Sequence, residues 1–238
     1  MQEPLRRRER LRQATVAEIK ELAWGQLAKA GPASLSLRAI ARDMGMTSSA
    51  IYRYFASRDE LLTALATDGF ASLADDLEAA EAKAVQKTAD CHERWMRVAR
   101  AHRTWALSHP TEFALLYDTP GFHPDPDNSP ARAEMVRAVA VLFRVMIDGL
   151  QRGEFDTKKF AATTSRRLRT QFEAWELSRN IGLPPEAVGG CMFAWTHLHG
   201  AISLELFGQY PEELLPADDL FDQQMRHVLQ ALSKTRKT

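Results

Sequence analysis

The sequence predicts an all-α protein in which three short N-terminal helices precede a longer helical bundle. Apolar residues recur at helical spacing along most of the 238 residues, which is the primary signal for amphipathic helices. Residues that start and stop helices divide the chain into segments, and no stretch shows the alternation of a strand. With 45% hydrophobic and 26% charged residues, the composition is that of an ordinary globular protein. No apolar run approaches the roughly 18 residues of a membrane span, so we expect no membrane partner.

The segment from Ser36 to Phe55 predicts two short helices joined by a tight turn. Ser36 can cap the first helix through its hydroxyl, and Thr47 can cap a second helix over residues 48–55. Gly45, between them, takes a left-handed conformation most easily. The side chains left to point outward from the second helix are Ser48, Ser49, Tyr52 and Arg53. Small polar, aromatic and basic side chains on a short helix after a glycine turn are typical of a DNA-reading helix-turn-helix.

The charge of the chain is unevenly divided. Residues 1–58 hold 11 Lys and Arg against 5 Asp and Glu, a net charge of +6, and the remaining 180 residues carry −6. A basic head on an acidic body indicates that the head meets a polyanion. The first 12 residues include Arg6, Arg7, Arg8, Arg10 and Arg12. This cluster is either a solvated tail or an arm that contacts phosphates beside the helix-turn-helix, and the sequence leaves both interpretations open.

A characteristic run of residues surrounds the predicted helix-turn-helix. It comprises Ala39 to Ala41, Gly45, the Tyr52-Arg-Tyr-Phe55 block and the Ala-Ser-Arg-Asp-Glu-Leu-Leu run that ends at Leu62. This run resembles the TetR family of bacterial transcriptional regulators, over roughly residues 18–66. The resemblance implies a repressor, with a DNA-binding domain over residues 1–58 and an effector-binding and dimerisation domain over residues 59–238. The family usually carries Lys where this chain has Arg58, and both side chains place a cation near a phosphate.

Nine residues are predicted to contact DNA. Arg can pair bidentately with guanine, and Ser or Thr can hydrogen-bond to a base or touch a thymine methyl group. The resemblance adds the two tyrosines and the cation at residue 58 as backbone contacts, and the preceding helix can touch phosphate. The set is Ser36, Arg38, Thr47, Ser48, Ser49, Tyr52, Arg53, Tyr54 and Arg58. A single helix-turn-helix reads a palindromic operator in double-stranded DNA only as a dimer, so we expect a homodimer.

The remaining helices follow from the apolar spacing and its interruptions. A first helix from Thr15 ends at Gly31-Pro32. Ser57-Arg-Asp-Glu60 fits a capping box that starts a helix reaching about residue 84, and Pro110 stops the helix after it. The proline-rich residues 118–130 predict a surface loop, the clearest break in the chain. The later helices are expected over residues 88–109, 131–152, 157–181, 186–208 and 217–234.

Large aromatic side chains are frequent in the body of the chain. They either fill the core or, with a few polar groups among them, line a cavity for an apolar effector that the sequence does not identify. The candidate pocket residues are Trp95, His102, Trp105, Tyr117, Phe143, Phe172, Trp175, Trp195 and His199. The run Trp195-Thr-His-Leu-His-Gly200 resembles the Trp-His-Gly element of one C-terminal subgroup of the family, which implies an effector and dimerisation domain over roughly residues 85–235.

Apolar stripes on the last two helices have two possible roles. They either complete the core or meet a second subunit, and the resemblance favours a two-fold, four-helix interface. The candidate interface residues are Leu198, Ile202, Leu206, Phe221, Met225, Val228 and Leu232.

Catalysis and metal binding lack a sequence signal. His197 and His199 are two residues apart, so their side chains diverge by about 200° on a helix and cannot share an ion. No nucleophile with a base and no phosphate loop is present, so we expect no enzymatic activity and no cofactor. Cys91 and Cys191 are expected to be buried thiols in the reducing cytoplasm. The alternative function is an architectural DNA-binding protein without an effector.

Overall fold

A computed structural model describes residues 7–87, 90–119, 129–179 and 183–234 of the chain. These residues form eleven α-helices, two short 3-10 turns and no strand, which confirms the all-α prediction. The helices are α1 (Arg7–Ala30), α2 (Leu37–Asp43), α3 (Ser48–Ile51), α4 (Arg58–Lys87), α5 (Cys91–Ser108), α6 (Pro110–Tyr117), α7 (Pro130–Gln151), α8 (Lys158–Thr163), α9 (Arg166–Arg179), α10 (Pro185–Leu206) and α11 (Asp218–Leu232). Within the described residues, no helix combines the length and apolar character that crossing a membrane requires.

Helix boundaries differ from the prediction in several places: α1 begins at Arg7 rather than Thr15, and α3 ends at Ile51 rather than residue 55. Two further differences lie after α5 and within residues 157–181. Pro110 ends α5 but occupies the first turn of α6, a helix that the sequence did not predict; proline suits that position because its missing N–H has no partner there. The helix expected over residues 157–181 is two helices. Thr164 bonds through its hydroxyl to the Phe160 carbonyl at 2.6 Å, and Ser165 Oγ accepts the amide of Leu168 at 3.2 Å, which ends α8 and starts α9. Most of the loop predicted over residues 118–130 lies outside the described residues.

The chain divides into two compact units that do not follow the expected boundary at residue 58. The first consists of Met1–Ser72 and His109–Val136, and the second of Leu73–Ser108 and Arg137–Thr238. The chain passes between the units within α4, between α5 and α6, and within α7. The division into a DNA-binding domain over residues 1–58 and an effector-binding and dimerisation domain over residues 59–238 stays a prediction.

The core of the first unit supports the helix-turn-helix. Its fully buried side chains include Ile19 of α1, Ile40 of α2, Ile51 of α3 and Leu61 of α4. Each comes from a different helix, so burial of these four side chains away from water fixes how the short helices pack. Helices of seven and four residues are too short to be stable alone, and this shared core is what holds them.

In the second unit, α10 and α11 pack against each other and against α5. The stripes proposed as a dimer interface face inward. Six of their side chains are buried within the chain itself: Leu198, Ile202, Phe221, Met225, Val228 and Leu232. Leu206 is half-buried. The assignment of these six residues to an intermolecular interface was therefore wrong, and they complete the core, which is the alternative that the sequence left open.

Candidate functional site

Local hydrogen bonds build the helix-turn-helix from its sequence. The amide of Ala39 donates to Ser36 Oγ at 3.3 Å, so Ser36 caps α2 as predicted. Gly45 has a φ of 66°, the left-handed conformation that only glycine adopts without strain. After it, the amide of Met46 donates to the Ala41 carbonyl at 2.8 Å and closes the turn. The chain then enters α3 through Thr47.

The segment Thr47–Tyr54, called the recognition segment below, is less helical than expected. Regular α-helix ends at Ile51, and single turns continue it, with the amide of Tyr54 donating to the Ile51 carbonyl at 2.9 Å. Thr47 occupies the cap position, but its hydroxyl lies 3.2 Å from that of Ser49 and makes no capping bond. The two hydroxyls thus form one exposed pair at the start of α3.

The recognition segment presents the predicted side chains to solvent. The exposed residues are Thr47, Ser48, Ser49, Tyr52 and Arg53. Ile51 and Phe55 are buried beneath them, and Tyr52 is 43% exposed despite its aromatic ring. Burying a ring usually favours folding, so an exposed tyrosine beside an exposed arginine is available for a partner. Arg38, on α2, is exposed as well.

Tyr54 and Arg58 are held within the unit. The ring of Tyr54 is half-buried, and the guanidinium carbon of Arg12 lies 5.7 Å from its centroid. Arg58 Nη2 donates to the Pro32 carbonyl at 2.7 Å and ties the start of α4 to the α1–α2 connection. This bond gives Arg58 a structural role. The predicted contact of Arg58 with a DNA phosphate stays a prediction.

The start of α4 is capped nearly as predicted. The amide of Glu60 donates to Ser57 Oγ at 3.1 Å. The carboxylate of Glu60 reaches back to the amide of Ala56, at 2.6 Å, rather than to that of Ser57. Two amides at the helix start are satisfied in this way, which anchors α4 directly after the recognition segment.

Three of the predicted pocket aromatics surround a small enclosed cavity in the second unit. This space, called the apolar cavity below, is lined by Trp95, Val139, Leu142, Phe143, Met146, Cys191 and Trp195. Its water-accessible volume is about 10 Å³, which is close to the smallest space that holds one water molecule. The lining contains no charged side chain, so the chemistry suits an apolar ligand.

Both predicted pocket histidines lie beside Trp195. Its ring stacks on His102 with centroids 5.8 Å apart and on His199 with centroids 5.5 Å apart. Burial lowers the pKa of His102 to about 3, with a smaller contribution from His199, and burial also lowers the pKa of His199. Both rings are therefore neutral near pH 7 and leave this region uncharged.

The other pocket candidates lie outside the cavity lining. Trp175 stacks on Phe143 with centroids 5.8 Å apart, while Trp105 and Phe172 are not among the lining residues. Tyr117 belongs to the first unit, where it packs on Phe70 and Phe113. Tyr117 is therefore not part of this cavity lining, and its role in an effector pocket stays a prediction.

Two arginines that sequence analysis missed connect α4 to the helices of the cavity. Arg94 of α5 is buried, and its guanidinium bonds to Glu81 of α4 and, at 2.8 Å, to Asp148 of α7. Arg137 of α7 bonds to Asp75 and, at 3.1 Å, to Glu78 of α4. An arginine adjacent to Trp95 on an apolar helix was the available sequence signal for a buried charge with partners.

Histidine, cysteine and carboxylate side chains that could bind a metal make other contacts. His197 Nδ1 lies 2.8 Å from the Phe193 carbonyl, whereas His199 Nε2 lies 3.4 Å from Ser203 Oγ. Asp90, His92 and Glu154 come within 4.8 Å of one another, but both carboxylates accept amides at the start of α5. Asp90 accepts the amide of His92 at 2.7 Å, and Glu154 accepts that of Cys91 at 2.8 Å. Cys91 and Cys191 are buried thiols that form no disulfide, as predicted.

An exposed recognition segment on a three-helix support defines a helix-turn-helix DNA-binding protein. Comparison with known proteins agrees. Residues 19–65 match the model for bacterial regulatory proteins of the tetR family, and residues 95–228 match the tetracyclin repressor-like C-terminal domain. The chain therefore belongs to the TetR family of transcriptional regulators, which are not enzymes.

Individual relatives extend this similarity over nearly the whole chain. The HTH-type transcriptional regulators Rv1816 of Mycobacterium tuberculosis and Mb1846 of Mycobacterium bovis are each 37% identical over 228 residues, which is 94% of both chains compared. A crystal structure of SCO4313, described as a regulatory protein, is 32% identical, with a TM-score of 0.74 over 96% of this chain and all of that one.

Proposed function

We propose that this chain is a ligand-responsive repressor that binds a palindromic operator as a homodimer in the cytoplasm and releases it when an apolar effector binds. The observation that carries the proposal is the recognition segment, in which five polar, aromatic and basic side chains are exposed above buried Ile51 and Phe55. Side chains of these types can bond to base edges and phosphates. The chain offers them on a rigid base, as sequence-specific reading requires.

The size of the apolar cavity suggests how a ligand would act. At about 10 Å³ the cavity cannot hold an effector, so binding requires α5, α7 and α10, whose residues line it, to move apart. Arg94 and Arg137 bond α5 and α7 to α4, so such movement would also shift α4. This helix continues into the first unit. A ligand that binds the separated arrangement more tightly than the closed one would lower the affinity for the operator. The loss is limited by the difference between its affinities for these two arrangements.

The alternative is an architectural DNA-binding protein without an effector, and one observation favours it. A nearly closed core in the second unit is what a body that never binds a ligand would have. The two functions differ in whether any small molecule changes the affinity for DNA.

Replacing Tyr52 or Arg53 by alanine tests the DNA-reading role. Each substitution should weaken specific binding by about 1–3 kcal/mol, or roughly 5- to 150-fold, because each removes a side chain that reaches the duplex. Fluorescence anisotropy on duplexes from the protein's own promoter measures this loss. Thermal unfolding should stay near wild type, because Tyr52 and Arg53 are exposed. Arg144 is an exposed arginine of α7, and Arg144→Ala is the matched control. This variant should bind the promoter duplex with wild-type affinity. Affinity and stability that fell together would contradict the proposal, as would a folded wild type with no sequence preference.

The outward face of α10 replaces the buried stripes as the proposed dimer interface. His197, Gly200, Leu204 and Phe207 recur at helical spacing opposite the buried side of this helix. Leu204 and Phe207 are 44% and 39% exposed. A Cβ on Gly200 would meet no atom within 4 Å, so a partner helix could approach closely there.

Gly200→Trp tests this interface. The indole has open space within the protomer, so the fold should persist, but a partner helix at this face would be displaced. We expect the variant to be monomeric by light scattering at a concentration where the wild type is dimeric, and to lose operator binding. Gly25→Trp on α1, where a Cβ also meets no atom within 4 Å, should remain dimeric. A dimeric Gly200→Trp variant would place the interface elsewhere.

A further inference from the structure

The start of α1 forms an open, strongly basic groove with the recognition segment. Its lining, called the arginine groove below, is Arg7, Arg8, Glu9, Leu11, Arg12, Thr15, Arg53 and Tyr54, and it encloses about 990 Å³ of water-accessible space. Four guanidinium groups face one carboxylate, so the lining carries a net charge of +3. All of these residues belong to the first unit.

Helical geometry places three arginines of α1 along one side of the helix. Arg7, Arg8 and Arg12 share this side with Leu11 and Thr15 because neighbours three and four residues apart lie on the same face. All three arginines are exposed, and Leu11 between them is 60% exposed. The rise from Arg8 to Arg12 along the helix axis is about 6 Å. Phosphates of one DNA strand follow one another about every 3.4 Å along the duplex axis, so this rise is on the order of two phosphates.

The stability of the fold does not account for this arrangement. Positive charges in the first turns of a helix oppose its dipole, which favours anions at that end. Like charges four residues apart, such as Arg8 and Arg12, also repel one another. The cluster therefore weakens the helix start unless an anion neutralises it. The contact of Arg12 with the ring of Tyr54 holds the cluster beside the recognition segment.

We infer that the arginine groove holds the phosphates of a DNA strand next to the bases read by the recognition segment. The inference rests on the proposed DNA-binding function and extends its footprint to a second, sequence-independent contact made by α1. Arg53 lines the groove and also belongs to the recognition segment, so the two surfaces are continuous. Arg7, Arg8 and Arg12 supply affinity and salt dependence, while the recognition segment supplies sequence preference.

The triple variant Arg7→Gln/Arg8→Gln/Arg12→Gln tests the groove. Its affinity for a fluorescent 30-base-pair duplex is measured by anisotropy at several salt concentrations, once with promoter DNA and once with an unrelated sequence of equal length. The negative slope of log K against log salt should become shallower by about 0.9 for each phosphate that an arginine no longer neutralises, on both duplexes. This amounts to about 2.7 for each protomer and about 5.4 for the bound homodimer. The ratio of promoter to unrelated affinity should change little, because bases are read elsewhere.

Three comparisons make the outcome decisive. The corresponding triple lysine variant keeps the charges and should retain the wild-type slope, while Arg144→Gln, on α7, should be unchanged. Glu9→Gln removes the only carboxylate of the lining and should tighten binding to both duplexes. An unchanged slope in a folded triple glutamine variant, checked by circular dichroism, would overturn the inference while leaving the proposed function intact. Absence of promoter preference in the wild type would instead reject the proposed function, and the unrelated duplex would still report on the groove.

Discussion

Replacing Arg94 by alanine will lower the free energy of unfolding by about 3–5 kcal/mol, the usual cost of removing one partner from a buried ion pair. The guanidinium of Arg94 is buried between the carboxylates of Glu81 and Asp148. Burial alone would lower the pKa of Arg94, but its hydrogen bonds with Glu81 and Asp148 more than offset this, so the pKa is raised. Without Arg94, the carboxylate of Glu81 remains buried and has lost its main ion-pair partner.

The control for this substitution lies one helical turn away. Arg97 pairs with Glu93 on the exposed side of the same helix, and such pairs contribute only about 0.3–0.5 kcal/mol. Arg97→Ala should therefore be nearly neutral. Urea unfolding of both variants at one protomer concentration separates the two cases, since the stability of an oligomer depends on concentration. Equal losses for Arg94→Ala and Arg97→Ala would show that the buried cluster has no special weight.

A triple substitution distinguishes a missing ion pair from a buried charge that has no partner. Replacing Arg94 by Met, Glu81 by Leu and Asp148 by Leu removes the ion pairs and the charges together. This variant should recover most of the stability that Arg94→Ala loses, because apolar side chains of similar volume replace buried ion pairs at little cost. Under the proposed effector mechanism, its operator binding should also respond differently to an effector, because this cluster then no longer bonds α4 to α5 and α7.

Local signals made the helix-turn-helix predictable from the sequence. Ser36 and Ser57 act through bonds to residues three positions away, and Gly45 acts through its own backbone conformation. The structure places them as two caps and a turn, as expected. Helical spacing also predicted which side chains of the recognition segment are exposed and which are buried, because only one side of this segment packs against the core. The same local chemistry was ambiguous at Pro110, which is compatible with both the end of one helix and the start of the next.

Long-range packing was not predictable from the same information. The apolar stripe that contains Leu198 and Ile202 has the same sequence pattern whether it packs in the protein's own core or against a second subunit, because either arrangement buries apolar area. The structure buries it within the chain, which is why the dimer interface is proposed on the opposite face of α10. Arg94 likewise shows no partner in the sequence, since Glu81 and Asp148 are 13 and 54 residues away.

Stability will fall as the pH is lowered from 6.5 towards 3, because of His102. Its ring is fully buried, and its pKa is about 3 in the folded chain against an ordinary value of 6.5. Between these values the unfolded chain binds a proton at His102 and the folded chain does not, so unfolding takes up a proton. The free energy of unfolding therefore decreases by up to about 1.4 kcal/mol for each pH unit below 6.5, or about 2 kcal/mol at pH 5, and is unaffected by this group above pH 7.

His102→Phe removes the titrating group while keeping an aromatic ring against Trp195. Between pH 6.5 and 5, unfolding of the variant should take up about one proton fewer than unfolding of the wild type, so its free energy of unfolding should depend less on pH. Urea unfolding at a fixed protomer concentration measures this difference. His199, whose pKa is also lowered by burial, contributes with the same sign, so the double variant should be flatter still. Asp218 and Asp222 have pKa values lowered by Arg103 and Arg100 respectively, and their stabilisation is lost only below about pH 4. A His102→Phe variant that kept the wild-type pH dependence would show that His102 does not control stability in acid.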